Sequence, residues 1–351
     1  MRAHHPAKSA DIAIAANATP NVLAEQACRA LIENEYGQYD RLIEVLAPAL
    51  GATGLDHLKQ LVLKLSQESQ QKPRAEDRKV VGWGMGGPLY ADDLAERHRS
   101  SVVRLALEAI ADAQGDVDAF IAQQSEKARG VPSVAVEIAQ RLLAAGRTEE
   151  AWTAINAINQ DRPGWIPVEW EQTRLAVLEA LGRADEAQAF RWLCFERSLN
   201  PEHLRSYLKR LPDFEDLEAE ERAIAHALSH PSVHHALGFL VTWPALDQAA
   251  HLVITRADEL NGDFYEILAP AAAVLDAKHP LAATILRRAL IDFALERNRV
   301  KRYQHAARHI EECENLADRI EDFGRFEAHD IYMRHLKAQH GRKSSFWSLV
   351  V

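Results

Sequence analysis

His305, His309 and Cys313 recur at every fourth position, with Glu312 beside them. On a helix the three fall in a strip less than about a quarter-turn wide, and neutral imidazoles with a thiolate are good zinc ligands. A fourth ligand would come from His329, His335 or another helix. The competing reading makes Tyr303, Ala306, Ala307, Ile310 and Ala317 the buried stripe, with the histidines flanking it and bonded to a neighbouring helix. Helical histidines without a matching motif are usually structural, so no cofactor is expected, and zinc at His305, His309 and Cys313 is the alternative.

A second kind of chemistry is anion binding. Arg297, Arg299, Lys301, Arg302 and Arg308 crowd one helix junction, while Arg342 and Lys343 precede Trp347 at the end of the chain. Guanidinium groups gathered this way hold a phosphate or an acidic peptide. Arg299, Arg302, Arg308, Arg342, Lys343 and Trp347 are therefore the candidate anion- or partner-binding residues. Against this stands the ordinary pairing of cations near a helix C-terminus with the plentiful glutamates.

Other candidate motifs lack a necessary part. His230-Pro231-Ser232-Val233-His234-His235 has no HExxH arrangement joining two ligands to a base. Gly82-Trp83-Gly84-Met85-Gly86-Gly87 has no Lys-Ser/Thr after it and no expected strand before it, so phosphate-loop mechanics are missing and a flexible linker is expected. His329-Asp330 resembles the start of a helical phosphohydrolase site, but residues 331–351 contain no further Asp to complete it.

The elements that must position these residues are helices. Roughly one residue in six is alanine, accompanied by Leu, Glu, Arg and Gln, the strong helix formers. Apolar residues recur with helical spacing, as in Leu23, Ala27, Ala30 and Leu31 or Leu58, Leu61, Val62 and Leu65, and no segment keeps up strict alternation. Gly and Pro interrupt the pattern mostly every 12 to 20 residues or so, a cadence of short helices joined by short loops. Two segments, Gly37 to Ala49 and Gly262 to Ala271, each carry an aromatic anchor and a Leu-Ala-Pro-Ala step, which predicts a Pro-kinked helix in both.

An internal repeat is the clearest pattern. Leu142-Leu143-Ala144-Ala145-Gly146-Arg147-Thr148-Glu149-Glu150-Ala151 matches Leu178-Glu179-Ala180-Leu181-Gly182-Arg183-Ala184-Asp185-Glu186-Ala187, 36 residues on, and Ala109 to Phe120 carries a weaker copy around Gly115. The pattern resembles the tetratricopeptide repeat, whose small residues let paired helices approach closely. Its period is slightly longer than that family's, and other marker residues are incomplete.

Longer phrases carry a second resemblance. Trp170 to Leu217, with Arg174-Leu175-Ala176-Val177-Leu178-Glu179-Ala180-Leu181-Gly182-Arg183, Trp192-Leu193-Cys194-Phe195-Glu196-Arg197 and Tyr207-Leu208-Lys209-Arg210-Leu211-Pro212-Asp213-Phe214, then Phe239 to Leu246, Arg302 to His309 and His340 to Trp347, resemble an uncharacterised bacterial helical-repeat family, domain of unknown function 6880. The likeness covers residues from about 35 to the end; the family's further helical N-terminal region has no counterpart in it, which implies a short member or a truncated reading. It implies a helical-repeat fold and transfers no activity.

Composition bounds the rest. In 351 residues, 41 Lys+Arg against 51 Asp+Glu leave a net charge of −10, which disfavours nucleic acid, including a mode through residues 297–309 with Lys337, Arg342 and Lys343. A 47% hydrophobic and 26% charged chain is neither disordered nor collagen-like. Three unpaired-looking cysteines, Cys28, Cys194 and Cys313, argue for a reducing compartment, and no long apolar run argues for a membrane, so the expected location is cytoplasmic. The expected architecture is all-α, a right-handed α-solenoid of about eight antiparallel helix hairpins of TPR/HEAT type. Its segments are a frayed leader (1–20), N-terminal helices (21–65), a polar, Gly-rich linker loop (66–89), TPR-like repeats (90–215), a C-terminal helical array (216–340) and a basic-aromatic tail (341–351). The expected function is a non-catalytic protein–protein interaction scaffold with a protein or peptide partner on a concave face; a metal- or anion-dependent activity centred on residues 297–313 is the alternative.

Overall fold

Glycine ends the repeat helices for a definite reason. Gly115, Gly146 and Gly182 all adopt the left-handed conformation, at φ 68, 73 and 70°. Arg147 N–H donates to the Leu142 carbonyl at 2.8 Å and Gly146 N–H to Leu143 at 2.9 Å; Arg183 and Gly182 repeat the pattern on Leu178 and Glu179, and Asp116 and Gly115 on Ala111 and Asp112. This paired closure satisfies carbonyls at a helix end that would otherwise face no donor, and glycine reaches it without steric cost. Helix starts are fixed as locally, by Pro20, Pro132, Pro201 and Pro280 in the first turn and by the side chains of Asp116, Ser125, Asn200 and Ser232 capping backbone N–H groups.

The computed structural model describes residues 19–34, 37–67, 73–74, 77–158 and 167–350. It is mostly helical, with little strand, and divides into two compact units, Met1–Arg183 and Ala184–Val351. The division falls inside the segment read as TPR-like, and the expected leader lies almost wholly outside the described residues.

The first unit contains α1 (Pro20–Ile32), α2 (Leu42–Gln67), β1 (Val80–Gly84), β2 (Gly87–Tyr90), α3 (Ala91–Gln114), α4 (Val117–Ala122), α5 (Glu126–Arg129), α6 (Pro132–Ala144), α7 (Thr148–Asn156) and α8 (Val168–Ala180). Ala24, Leu50, Leu58 and Ile110 close the core of α1, α2 and α3, while Ala135, Ala139, Ala151, Ile155 and Val177 close that of α6 to α8. The predicted bend in α2 falls at Gly51, three residues past Pro48, where φ is 56° and ψ −171°.

The expected linker loop is corrected in part. Residues 80–90 form an antiparallel hairpin in which Val80 pairs with Tyr90, Trp83 with Pro88 and Gly84 with Gly87. Four glycines between Gly82 and Gly87 hide any apolar alternation, yet Gly84 to Gly87 supply a tight turn between the β-formers Val80-Val81 and Leu89-Tyr90. Arg78 anchors the hairpin, stacking over Tyr90 at 3.9 Å and pairing with Asp92 and Asp93 at 2.8 and 2.7 Å.

The second unit runs α9 (Ala184–Ser198), α10 (Pro201–Leu208), α11 (Glu215–Ser229), α12 (Val233–Thr242), α13 (Leu246–Thr255), α14 (Tyr265–Leu275), α15 (Pro280–Glu296), α16 (Tyr303–Ala317), α17 (His329–His340) and α18 (Ser344–Trp347). Pro270 stands inside α14 as predicted. Helix α15 is buried nearly all round: Ala282, Ala283 and Leu286 join a core with Leu237, Val253 and Leu268, while Ile291, Ala294 and Leu295 join one with Ile310, Leu336 and Phe346. A helix that is apolar on every side belongs in the middle of its layer, so any charged residue on it needs a reason.

Candidate functional site

Two consecutive arginines stand on that central helix. Arg287, 3% exposed, is fully paired: Nη1 and Nη2 donate to the two Asp276 oxygens at 2.6 and 2.9 Å, and Nε to Glu312 Oε2 at 2.7 Å. His309 Nδ1 donates to the same Glu312 oxygen at 2.8 Å, and Arg308 reaches its other oxygen at 3.4 Å. Burial pushes the Glu312 carboxyl up, but the bonds from His309 and Arg287 outweigh it and hold the group below the usual carboxylate range. Burial likewise pushes the His309 imidazole down, against the pull of Glu312.

The predicted zinc set does not converge. Eight residues of helix rise separate His305 from Cys313, roughly 12 Å, whereas the ligands of one tetrahedral zinc stand roughly 3.5 Å apart. Among the described residues no group of three ligand atoms within 4.8 Å of one another includes His305, His309 or Cys313. His305 is exposed, His309 turns to Glu312, and the buried Cys313 Sγ donates to the Thr284 carbonyl at 3.9 Å. Burial pushes the Cys313 thiol up to about 12, so it is neutral and a poor ligand. His234 is structural too, its Nε2 accepting from Asn261 N–H at 3.0 Å and its ring stacked on Phe264.

The predicted basic residues separate into three places. Lys301, Arg302, His305 and Arg308 stand around one cavity of about 460 Å³ between α14, α15 and α16, walled on its apolar side by Tyr265, Ala269 and Leu290. Arg302 is held over Tyr265 and Phe293 at 4.7 and 5.3 Å while donating to the Gly262 carbonyl at 3.2 Å and Asp263 at 3.0 Å. Lys301 makes no ion pair among the described residues. Arg299 lies over Phe293 at 5.9 Å, Lys343 donates to Asn298 Oδ1, and Arg342 is exposed. Trp347 lines a different, larger cavity of about 1240 Å³ with Arg308, His329 and Lys337, and its Nε1 donates to the His340 carbonyl at 2.9 Å.

Sequence reasoning missed a second constellation on the other side of Gly262. A cavity of about 520 Å³ lies between α15, residues 257–262 and residues 325–332. Arg288, 8% exposed, lines it, with Nη1 donating to the Glu327 carbonyl at 2.7 Å and the ring of Tyr332 at 4.3 Å. Tyr332 donates its hydroxyl to Asp292 Oδ1 at 2.8 Å. Burial pushes the Asp292 carboxyl up to about 6 and the Arg288 guanidinium down. The signal available in the sequence was Arg287-Arg288 itself, two cations inside the apolar stretch Leu281 to Leu295.

Among the described residues no helix is long and apolar enough to cross a membrane. No curated protein and no solved structure matches the chain. One family does, over residues 3–349, beginning well before the stretch on which the resemblance was read, and it is described as a family of unknown function (DUF6880): the chain belongs to that family.

Proposed function

We propose that this protein is a non-catalytic, helical-repeat interaction scaffold of the cytoplasm, and that its C-terminal unit receives an acidic segment of a protein partner. One observation carries the reading: Lys301, Arg302 and Arg308 line a single cavity together with Tyr265 and Leu290. Cations over an aromatic and aliphatic wall suit a carboxylate flanked by apolar side chains, since the charge is met and the apolar neighbours are covered. The right-handed α-solenoid belongs to the same proposal, supported by the 36-residue spacing and by the identical glycine closures at Gly146 and Gly182.

The test is quantitative co-purification from the native host with the full chain and with a Lys301→Glu, Arg308→Glu double variant. Both positions are on the surface, so the variant is expected to melt like the parent. At least one protein should be retained by the parent and lost by the variant. Equal retention by both, or none by either, removes the reading.

A further inference from the structure

Resting on the proposed reception of an acidic segment there, we infer that the cavity around Lys301, Arg302 and Arg308 takes residues 213–217 of a second copy of this chain. Phe214 singles these residues out. Its backbone stands at φ 76° and ψ −20°, the left-handed region that favours glycine, in a turn closed by Glu215 N–H donating to the Pro212 carbonyl at 3.2 Å. Yet the position holds a large aromatic residue, and it is 84% exposed. Such a turn costs the fold twice, in backbone strain and in apolar surface left to water, and outliers of this kind persist where they serve a contact. Leu217, three residues on in α11, is 61% exposed.

Charge selects the receiver. Asp213, Glu215, Asp216 and Glu218 flank the two apolar side chains, all four exposed and none in an ion pair among the described residues. The cavity has the reverse composition: Lys301, Arg302, His305, Arg308 and His309 line it, no carboxylate does, and Tyr265 and Leu290 add apolar surface. Asp263 and Glu312, which pair with Arg302 and Arg308, are not among the lining residues. Phe214-Glu215-Asp216-Leu217 sets two carboxylates between two apolar side chains, the segment such a lining suits. At about 460 Å³ the cavity is large enough to hold an aromatic ring.

Within one copy the two surfaces stand apart. Residues 213–217 lead into α11, which packs against α10, α12 and α13, whereas the cavity lies between α14, α15 and α16. Neither fills the other in the same chain, since Phe214, Lys301 and Arg308 are all exposed. A contact between unlike surfaces is heterologous, so each copy gives one turn and receives one, and association continues into rings or open chains.

Sedimentation velocity of the full chain over a wide concentration range tests this. The mass should rise with concentration beyond a dimer, and about 0.5 M NaCl should reduce it. Phe214→Asn removes the ring and suits the left-handed backbone, so it should melt no lower than the parent while weakening association at least about tenfold. The Lys301→Glu, Arg308→Glu double variant removes the receiver and should weaken association as much. Mixed in equal amounts, the two variants should form a dimer and nothing larger, because one retains only the cavity and the other only the turn. A mixture that stays monomeric, or association undiminished in either variant, overturns the contact. A parent that is monomeric at every concentration overturns it too; if that parent still retains a different protein through Lys301 and Arg308, the cavity receives an acidic segment without self-association.

Discussion

Phe346 meets the ring of Tyr303 edge-on, with centroids 5.5 Å apart and planes at 72°, and is itself fully buried. The C-terminal aromatic run thus caps the core of α15, α16 and α17 rather than standing in water. Phe346→Ala should cost about 3–5 kcal/mol through lost burial and a cavity, and deleting residues 344–351 should lower Tm by several degrees. Thermal unfolding of both variants checks this; a truncated chain that melts like the parent refutes the capping role.

Ala151 and Ala187, the matched small residues of the internal repeat, are both wholly buried. Neither has room for a larger side chain where helices cross. Ala151→Leu and Ala187→Leu should each destabilise by about 1–3 kcal/mol, measured by denaturant titration. Unchanged midpoints in both would show that these alanines do not pack at crossings.

Gly262 passes so close beneath α15 that a β-carbon there would stand 2.2 Å from the Ala289 carbonyl oxygen and 2.6 Å from Phe293 Cβ. Since both obstacles are on a buried helix, Gly262→Ala should cost at least about 1–3 kcal/mol. Gly86→Ala, where nothing lies within 4 Å of the added carbon, should stay within about 0.5 kcal/mol of the parent. Equal stability of the two variants would contradict the close approach.

Asp292 offers a test with a defined sign. Its carboxyl is pushed from 3.8 in the ordinary state to about 6 by burial, so above pH 4 the folded chain holds a proton that the unfolded chain has released. Stability contributed by the neutral acid is therefore lost as pH rises from about 4 to 6, and the penalty at pH 7 is about 3 kcal/mol. The buried His234 and His309 and the half-buried His329, pushed down by desolvation, act in the opposite sense, losing stability as pH falls below 6.5. Comparing Asp292→Asn with the parent isolates the carboxyl, because Asn still accepts from Tyr332. The stability difference should shift in favour of Asn between pH 4 and pH 7; a pH-independent difference would mean Asp292 titrates normally.

Helical texture and its punctuation were legible in the sequence because they are local. Gly146 and Gly182 close their helices through bonds within six residues, Pro132 and Pro280 open theirs, and the buried faces follow from spacing along single helices. The crowding of Lys301, Arg302 and Arg308 was likewise visible, since all three lie within eight residues. The hairpin at Val80 to Tyr90 was not, because glycine carries no side chain to show alternation. The zinc set failed on rise: shared helical face is an angular property, while ligation requires proximity along the axis as well. Only tertiary structure could distinguish Arg287 from Arg288. The two have the same side chain on adjacent residues, but the 100° turn between them sends one to Asp276 and Glu312 and the other to the Glu327 carbonyl and the Tyr332 ring, groups distant in sequence and brought to α15 only when that helix is buried.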